Sequence, residues 1–410
     1  MIPFPIINFG AGPVIPAGVK IKNILNNVSG GIYLLLTNGD LYVVGNQGGN
    51  GLGKNGTANI LPSGWTLTNT GVEEVYPASI TYGSGVWVKK NNNLYEYTSS
   101  SVFPAVATEL NNSWNVLPAS YYTIGGVNIL SSAVQITKNY AIQPDGTVYQ
   151  FKATGPEVAW PEKTKYIFEN TFNQIRVDID GSLKYNGPNG YDRIDGTVSG
   201  ATTTLSWKTI GDSTVRYVKA KCSRGQIRDP SGGTGAVPIV AVFAQREDGV
   251  WEGCGSTGRA GSLLGNLQGP TLGVMTDVPA GSDLYTGQVS SYREASLGVR
   301  TALQTYIVDR VTNTYLSSGG QGGETYSLYR NLPIATNSTT YASMDQQIID
   351  DGGVLTIAEG FGDTFGLLAT NNGGLYWVGK GYSGANWPSD FNNTSTYLSK
   401  FNLEGIVIPE

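Results

Sequence analysis

Two pairs of carboxylates, Asp178-x-Asp180 and Asp350-Asp351, are the residues of this 410-residue chain best suited to acid–base work. Two carboxyls ~5 Å apart can cleave a glycosidic bond with retention, and an Asp-rich turn can hold calcium. Little else is available for chemistry. The chain has no histidine, which removes Ser-His-Asp and Cys-His nucleophiles, imidazole bases and histidine metal sites together. No complete calcium loop accompanies the aspartates. Asp180 belongs to an Asp-Gly turn, and Asp350-Asp351 sit just before an apolar run at 354–358. Both pairs read equally well as turn residues, so the expectation is no catalytic residue, no metal ligand and no cofactor.

Glycine spacing offers a second, weaker lead. Gly51-x-Gly53-x-x-Gly56 and Gly379-x-Gly381-x-x-Gly384 have the spacing of a dinucleotide fingerprint. That fingerprint needs a helix opening on its third glycine, whereas Thr57-Ala58-Asn59-Ile60-Leu61-Pro62 has no helical period. Gly48 to Lys54 approaches a phosphate-binding loop, but Asn55 supplies no hydroxyl for magnesium. Both fingerprints occupy the same place in a repeated phrase, and the repeat explains them.

That phrase reads LLLTNGDLYVVGNQGGNGLG at 34–53 and LLATNNGGLYWVGKGYSG at 367–384. Each copy is an apolar run, an Asn/Gly turn, an apolar-aromatic run and a glycine-rich loop. Asn38-Gly39 between two apolar runs predicts a hairpin with a type I′ turn, which needs positive φ at both central residues. The runs are nearly continuous apolar rather than alternating, as in a sheet buried on both faces. Weaker copies follow, so that Tyr42, Tyr95, Tyr149, Lys184, Trp251, Tyr315 and Tyr376 anchor seven units. The mean unit of about 59 residues suits a four-stranded blade with its loops. In the fourth unit Lys184 stands where the others carry an aromatic.

With their leading strands, the two clear copies resemble the regulator-of-chromosome-condensation family. The matching residues are Ile357-Ala358-Glu359-Gly360 before Phe365–Thr370, and Gly45-Asn46-Gln47-Gly48-Gly49-Asn50-Gly51-Leu52-Gly53. Gly253-Cys254-Gly255, Gly258 and Leu264-Gly265 are a looser echo. The family usually carries a histidine before its second strand, and this chain has none. The resemblance implies an all-β fold, a seven-bladed β-propeller of four-stranded antiparallel blades. Residues 1–20 are expected as an N-terminal arm or closing strand and 21–410 as a single propeller, with Pro5–Asn8 or Val19–Ile24 available to complete the last blade. Known members of the family exchange guanine nucleotide on a small GTPase and sit on chromatin. No residue pattern here matches either role, so fold analogy supplies no function.

Composition narrows the partners. There are 26 basic and 31 acidic residues, a net charge of −5, and the basic ones are scattered; phosphate binding needs a basic stripe, so nucleic acid is not expected. The N-terminal stretch is broken by prolines and preceded by no basic residue, which makes it a poor secretory signal and too interrupted to span a membrane. Cys222 and Cys254 are expected as buried thiols, although one bridge between them stays open. Tyrosines in the anchors read as packing, whereas Tyr121, Tyr122, Tyr191, Tyr382 and Trp387 fall in loops and are the candidate ligand contacts.

A chain poor in charge and rich in Gly, Asn, Ser, Thr and Tyr resembles a bacteriophage virion protein in composition. The expected role is non-enzymatic: a tail-fibre or virion surface protein that recognises a host-surface receptor or glycan through propeller loops. It would be made in the host cytoplasm without a signal peptide. Its partners would be other tail or capsid proteins, and a symmetric particle would make it oligomeric. The alternatives are an assembly or decoration protein of tail or capsid, a lectin-like propeller of a bacterium or fungus, and a carboxylate-dependent glycan-degrading enzyme.

Overall fold

The computed structural model describes residues 19–27, 31–45, 65–77, 86–97, 114–137, 139–152, 154–169, 173–189, 194, 204–228, 236–255, 269–276, 278–290, 301–311, 314–319, 346–358, 360–362, 365–380, 394–401 and 403. Its β-branched, aliphatic and aromatic runs form antiparallel sheets, as their preference for a pleated, buried surface requires. The first blade comprises Ile21–Asn27, Gly31–Leu36, Leu41–Gly45 and Thr66–Asn69. The second comprises Glu74–Pro77, Val86–Lys90, Asn93–Tyr97 and Trp114–Val116. The third comprises Gln135–Ile136, Tyr140–Ile142, Val148–Gln150 and Glu157–Val158. The fourth comprises Thr164–Glu169, Gln174–Asp178, Leu183–Pro188 and Thr204–Ile210. The last comprises Val354–Ile357, Phe365–Thr370, Leu375–Lys380 and Thr394–Lys400.

Between the fourth and the last blade the expectation of seven fails. The units anchored at Trp251 and Tyr315 share one eight-stranded sheet, so the propeller has six blades. Four strands of that fifth blade follow the usual order: Tyr217–Arg228, Ala236–Arg246, Trp251–Gly255 and Gly269–Val274. The cause of the merger is length. Tyr217–Arg228 runs 12 residues, and its far end offers a bare edge on which Gln226 pairs with Thr301, as unpaired edges invite. Thr301–Asp309 then carries Asp283–Ser290 and Thr314–Gly319, and Gly360–Gly362 joins by a parallel pairing.

The apolar runs are buried on both faces, as read from their sequence. In the first blade Ile32, Leu34 and Leu36 join a core with Leu367, Ala369 and Trp377 of the last blade, while Tyr33 and Leu35 join one with Val75, Val86 and Val88 of the second. The first and last blades therefore close the ring, with Trp65 edge-on to Phe401 at 5.6 Å. Val19–Ile24 was expected as a strand completing the last blade. It instead runs into the first blade's own first strand, and Pro5–Asn8 lies outside the described residues.

A recurring backbone lock joins the blades. The carbonyl of the hairpin glycine accepts the N–H that opens the next blade: Gly39 from Val72 at 2.8 Å, Gly146 from Thr164 at 2.9 Å and Gly181 from Tyr217 at 3.1 Å; inside the fused fifth sheet Gly249 accepts in the same way from Gly281 at 3.0 Å. Gly39 has φ +90°, and a Cβ there would lie 3.0 Å from the Gly71 Cα, so the position needs glycine for conformation and for clearance. The turn is not type I′. Gly39 N–H donates to Leu36 and only the glycine has positive φ, which makes a type I turn followed by a glycine bulge. Type I′ geometry occurs in the second blade, where Asn91 and Asn92 have φ +50° and +57°.

Candidate functional site

The tyrosine pair expected to contact ligand belongs to the core. Tyr121 and Tyr122 are 1% and 2% exposed and pack between the second and third blades, with the Tyr122 hydroxyl donating to Asn93 Oδ1 at 2.8 Å. The same loop exposes Ile124, Val127 and Val134 instead. Tyr191, Tyr382 and Trp387 lie outside the described residues.

The carboxylate pairs are divided between different tasks. Asp351 Oδ2 accepts from the Thr370 hydroxyl and the Tyr376 hydroxyl, each at 2.8 Å, while Asp350 accepts from Gln346 Nε2 at 2.7 Å on a helical turn at 346–350. Asp180 accepts the Ser182 N–H in its turn at 2.8 Å, and that bond holds its carboxyl below the usual range. Asp178 is buried. Among the described residues no group of three or more His, Cys, Asp or Glu could hold a metal ion. Cys222 and Cys254 each sit opposite Val242 on its two flanking strands, which keeps them unbridged, and burial pushes the Cys254 thiol up to about 12.

Asp178 leads to the most unusual constellation among the described residues, at the seam of the third and fourth blades. Its backbone position corresponds to Leu36 and Thr370, because each of the three donates its N–H to the carbonyl four residues on and accepts the N–H of the glycine three residues on. Two residues earlier stands Arg176, paired across the sheet with Lys184. The first, third and last blades fill this cross-strand pair with Leu34–Tyr42, Ala141–Tyr149 and Leu368–Tyr376, and the fifth with Ala244–Glu252. Two cations opposite each other on neighbouring strands repel, and buried charge needs partners. Arg176 Nε lies 3.3 Å from Asp178 Oδ1, Lys184 Nζ lies 3.3 Å from Asp178 Oδ2, and the Thr164 hydroxyl donates to Asp178 Oδ1 at 2.8 Å. Glu162 bridges both cations from the surface, 3.2 Å from an Arg176 Nη and 2.7 Å from Lys184 Nζ.

Aromatic rings complete the seam. The Arg176 guanidinium lies 4.1 Å from the Trp160 ring and 5.0 Å from the Trp207 ring, within the range of cation–π attraction. Trp160 donates its indole N–H to Thr164 at 2.9 Å and packs on Tyr140. Trp207 is held by a bulge: between the pairs Tyr185–Lys208 and Gly187–Leu205 the outer strand carries one residue more than its neighbour. There Trp207 has φ +37°, a strained conformation for a bulky side chain that bulges near binding sites often impose. Arg176 is 2% exposed in its side chain, yet its Nη1 makes no hydrogen bond. In the sequence, the one signal of this seam is Lys184, the exception among the aromatic anchors.

No protein-family model and no curated protein sequence matches this chain. Among solved structures it is similar to human WBSCR16, with a TM-score of 0.54 at 10% identity over 89% of this chain and 94% of that one. It is also similar to Saccharomyces cerevisiae Prp20p, in a structure described with its binding to Gsp1p and histones: TM-score 0.44, 11% identity, 93% of this chain and 77% of that one. The yeast protein bound to Kap60, there named RCC1 (Prp20), gives a TM-score of 0.43 at 10% identity over 93% and 75%. The likeness to WBSCR16 shows the fold alone.

Proposed function

We propose that this protein is a non-enzymatic recognition propeller that binds its partner at the seam of the third and fourth blades. One observation carries the reading: positions that the first, third and last blades fill with Leu, Ala and Tyr hold two cations in the fourth, Arg176 and Lys184, flanked by Trp160 and a strained Trp207. Burying such charges is costly, and the first blade folds without them. The absence of histidine and the separate engagements of Asp350 and Asp351 support a binding rather than a catalytic role.

The finer reading is a virion surface protein of a bacteriophage that contacts the host envelope. Its support is compositional: low charge with abundant Gly, Asn, Ser, Thr and Tyr. The test has two arms. Mass spectrometry and labelling locate the protein in purified particles; its absence from them sinks the virion role. Binding to bacterial envelopes is compared for the wild type and for Arg176→Leu, Asp178→Leu, Lys184→Tyr, which gives the seam first-blade residues. Equal binding by both overturns the seam. Polysaccharide turnover that vanishes in Asp350→Asn overturns the non-enzymatic role.

A further inference from the structure

Glu162 holds an odd place in the seam. Its side chain is 46% exposed, against 2% for Arg176 and 15% for Lys184, yet it bridges both cations. Within the buried set, two positive charges face one negative charge, that of Asp178. The remaining positive charge is balanced from the solvent side by Glu162 alone among the described ion pairs. How firmly an anion is held there shows in the Glu162 carboxyl, pulled down to about 2 chiefly by its hydrogen bond with Lys184. Arg176 also has donor capacity to spare, because its Nη1 is buried without a hydrogen bond. Guanidinium and ammonium groups side by side suit a carboxylate better than any neutral group.

The neighbouring surface says what such a carboxylate would be attached to. Trp207 is half-buried, and its ring stands 4.8 Å from Trp160 beside the cations. An indole face attracts the weakly positive C–H groups of a sugar ring, by the electrostatics that bring aromatic edges onto faces. An acidic peptide would dock by adding a strand to Thr204–Ile210, the outer edge of the blade. The bulge at Trp207 interrupts that edge, and bulged edges resist strand addition.

We propose that Glu162 is an internal stand-in for a ligand carboxylate, and that the seam binds an acidic sugar of the uronate type. The sugar carboxylate replaces Glu162 on Arg176 and Lys184, and one C–H face of its ring lies on Trp207. The inference rests on the recognition role given above and names its ligand class.

The experiment titrates the full chain with methyl glucuronide, with methyl glucoside as the neutral control and with the capped dipeptide Glu-Glu as the peptide control. Calorimetry and tryptophan fluorescence are read together. Methyl glucuronide is expected to bind the wild type and to bind Glu162→Gln about tenfold more tightly, with weakening at high salt and loss in Lys184→Met. Failure of a natively folded Glu162→Gln to bind it overturns the proposal, as does equal binding of the glucoside or tighter binding of the dipeptide. Should Glu162→Gln not fold, the wild type decides: a tryptophan change with glucuronide and not with glucoside supports the proposal, and no change overturns it. Envelope binding that depends on the seam while glucuronide fails sinks this inference alone; loss of seam-dependent envelope binding sinks the recognition role.

Discussion

The first and fourth blades share a register and differ in chemistry. Leu34 faces Tyr42 across the first blade where Arg176 faces Lys184 across the fourth, and Leu36 stands where Asp178 does. Both turns close through the same glycine, and both pass the same backbone bond to the blade that follows. The fifth blade offers a third solution at these positions: Arg246 and Glu252, 3.6 Å apart, reverse the polarity of the Asp178–Lys184 pair. The wedge is therefore specified by its backbone joints and alternating burial. Side chains at these sites are open to other uses, provided each charge finds an opposite one.

The hardest blow to this comparison is Asp178→Ala, which leaves Arg176 and Lys184 without their buried anion. We expect a loss of about 3–5 kcal/mol in denaturant unfolding; a loss below about 1 kcal/mol would mean the cations are solvated after all. Replacing the charges together should act in the opposite sense. Arg176→Leu, Asp178→Leu, Lys184→Tyr gives the fourth blade the first blade's filling and is expected to be neutral or to gain up to about 4 kcal/mol. A clear loss would show that the seam is structural.

Gly181→Ala and Gly39→Ala probe what the two blades have in common. Gly181 has φ +86°, and a Cβ there would lie 2.9 Å from the Arg216 Cα; each substitution should cost about 1–3 kcal/mol, and similar amounts in both blades. Unequal losses would break the claim of a shared joint. The smallest effect concerns pH. Folding lowers the Glu162 carboxyl from 4.5 to about 2, so its contribution is complete above about pH 4.5 and fades as pH falls toward 2. Being half exposed, it is worth less than about 1 kcal/mol, and Glu162→Gln should flatten that part of the stability curve.

Much of the fold was written in local residues. Asn38-Gly39 and Asn372-Gly373 between apolar runs identify hairpins, and the unbroken runs at 32–36 and 41–44 identify sheets covered on both faces. The number of blades was not legible, because it depends on how far Tyr217–Arg228 extends and on which edge Thr301 finds, both set by tertiary contacts. The seam was half visible. Lys184 broke the anchor pattern, but its neighbour across the sheet is Arg176, and only register reveals that pair. Trp160 and Trp207 carried no signal, since nothing in a sequence marks a tryptophan with φ +37° at position 207. Tyr121 and Tyr122 misled for the converse reason: a long connection between blades packs into the core that the second and third blades share.

The backbone bonds accepted by Gly39, Gly146, Gly181 and Gly249 have a kinetic corollary. Each is a single amide proton, on Val72, Thr164 or Tyr217 held by the carbonyl of a preceding wedge, or on Gly281 held within the fused fifth sheet. Their deuterium uptake therefore reads the parting of three blade joints and of the fused sheet individually. A ring that breathes at one joint would exchange one of these protons early, and a ring that opens only as a whole would release all four at a common rate.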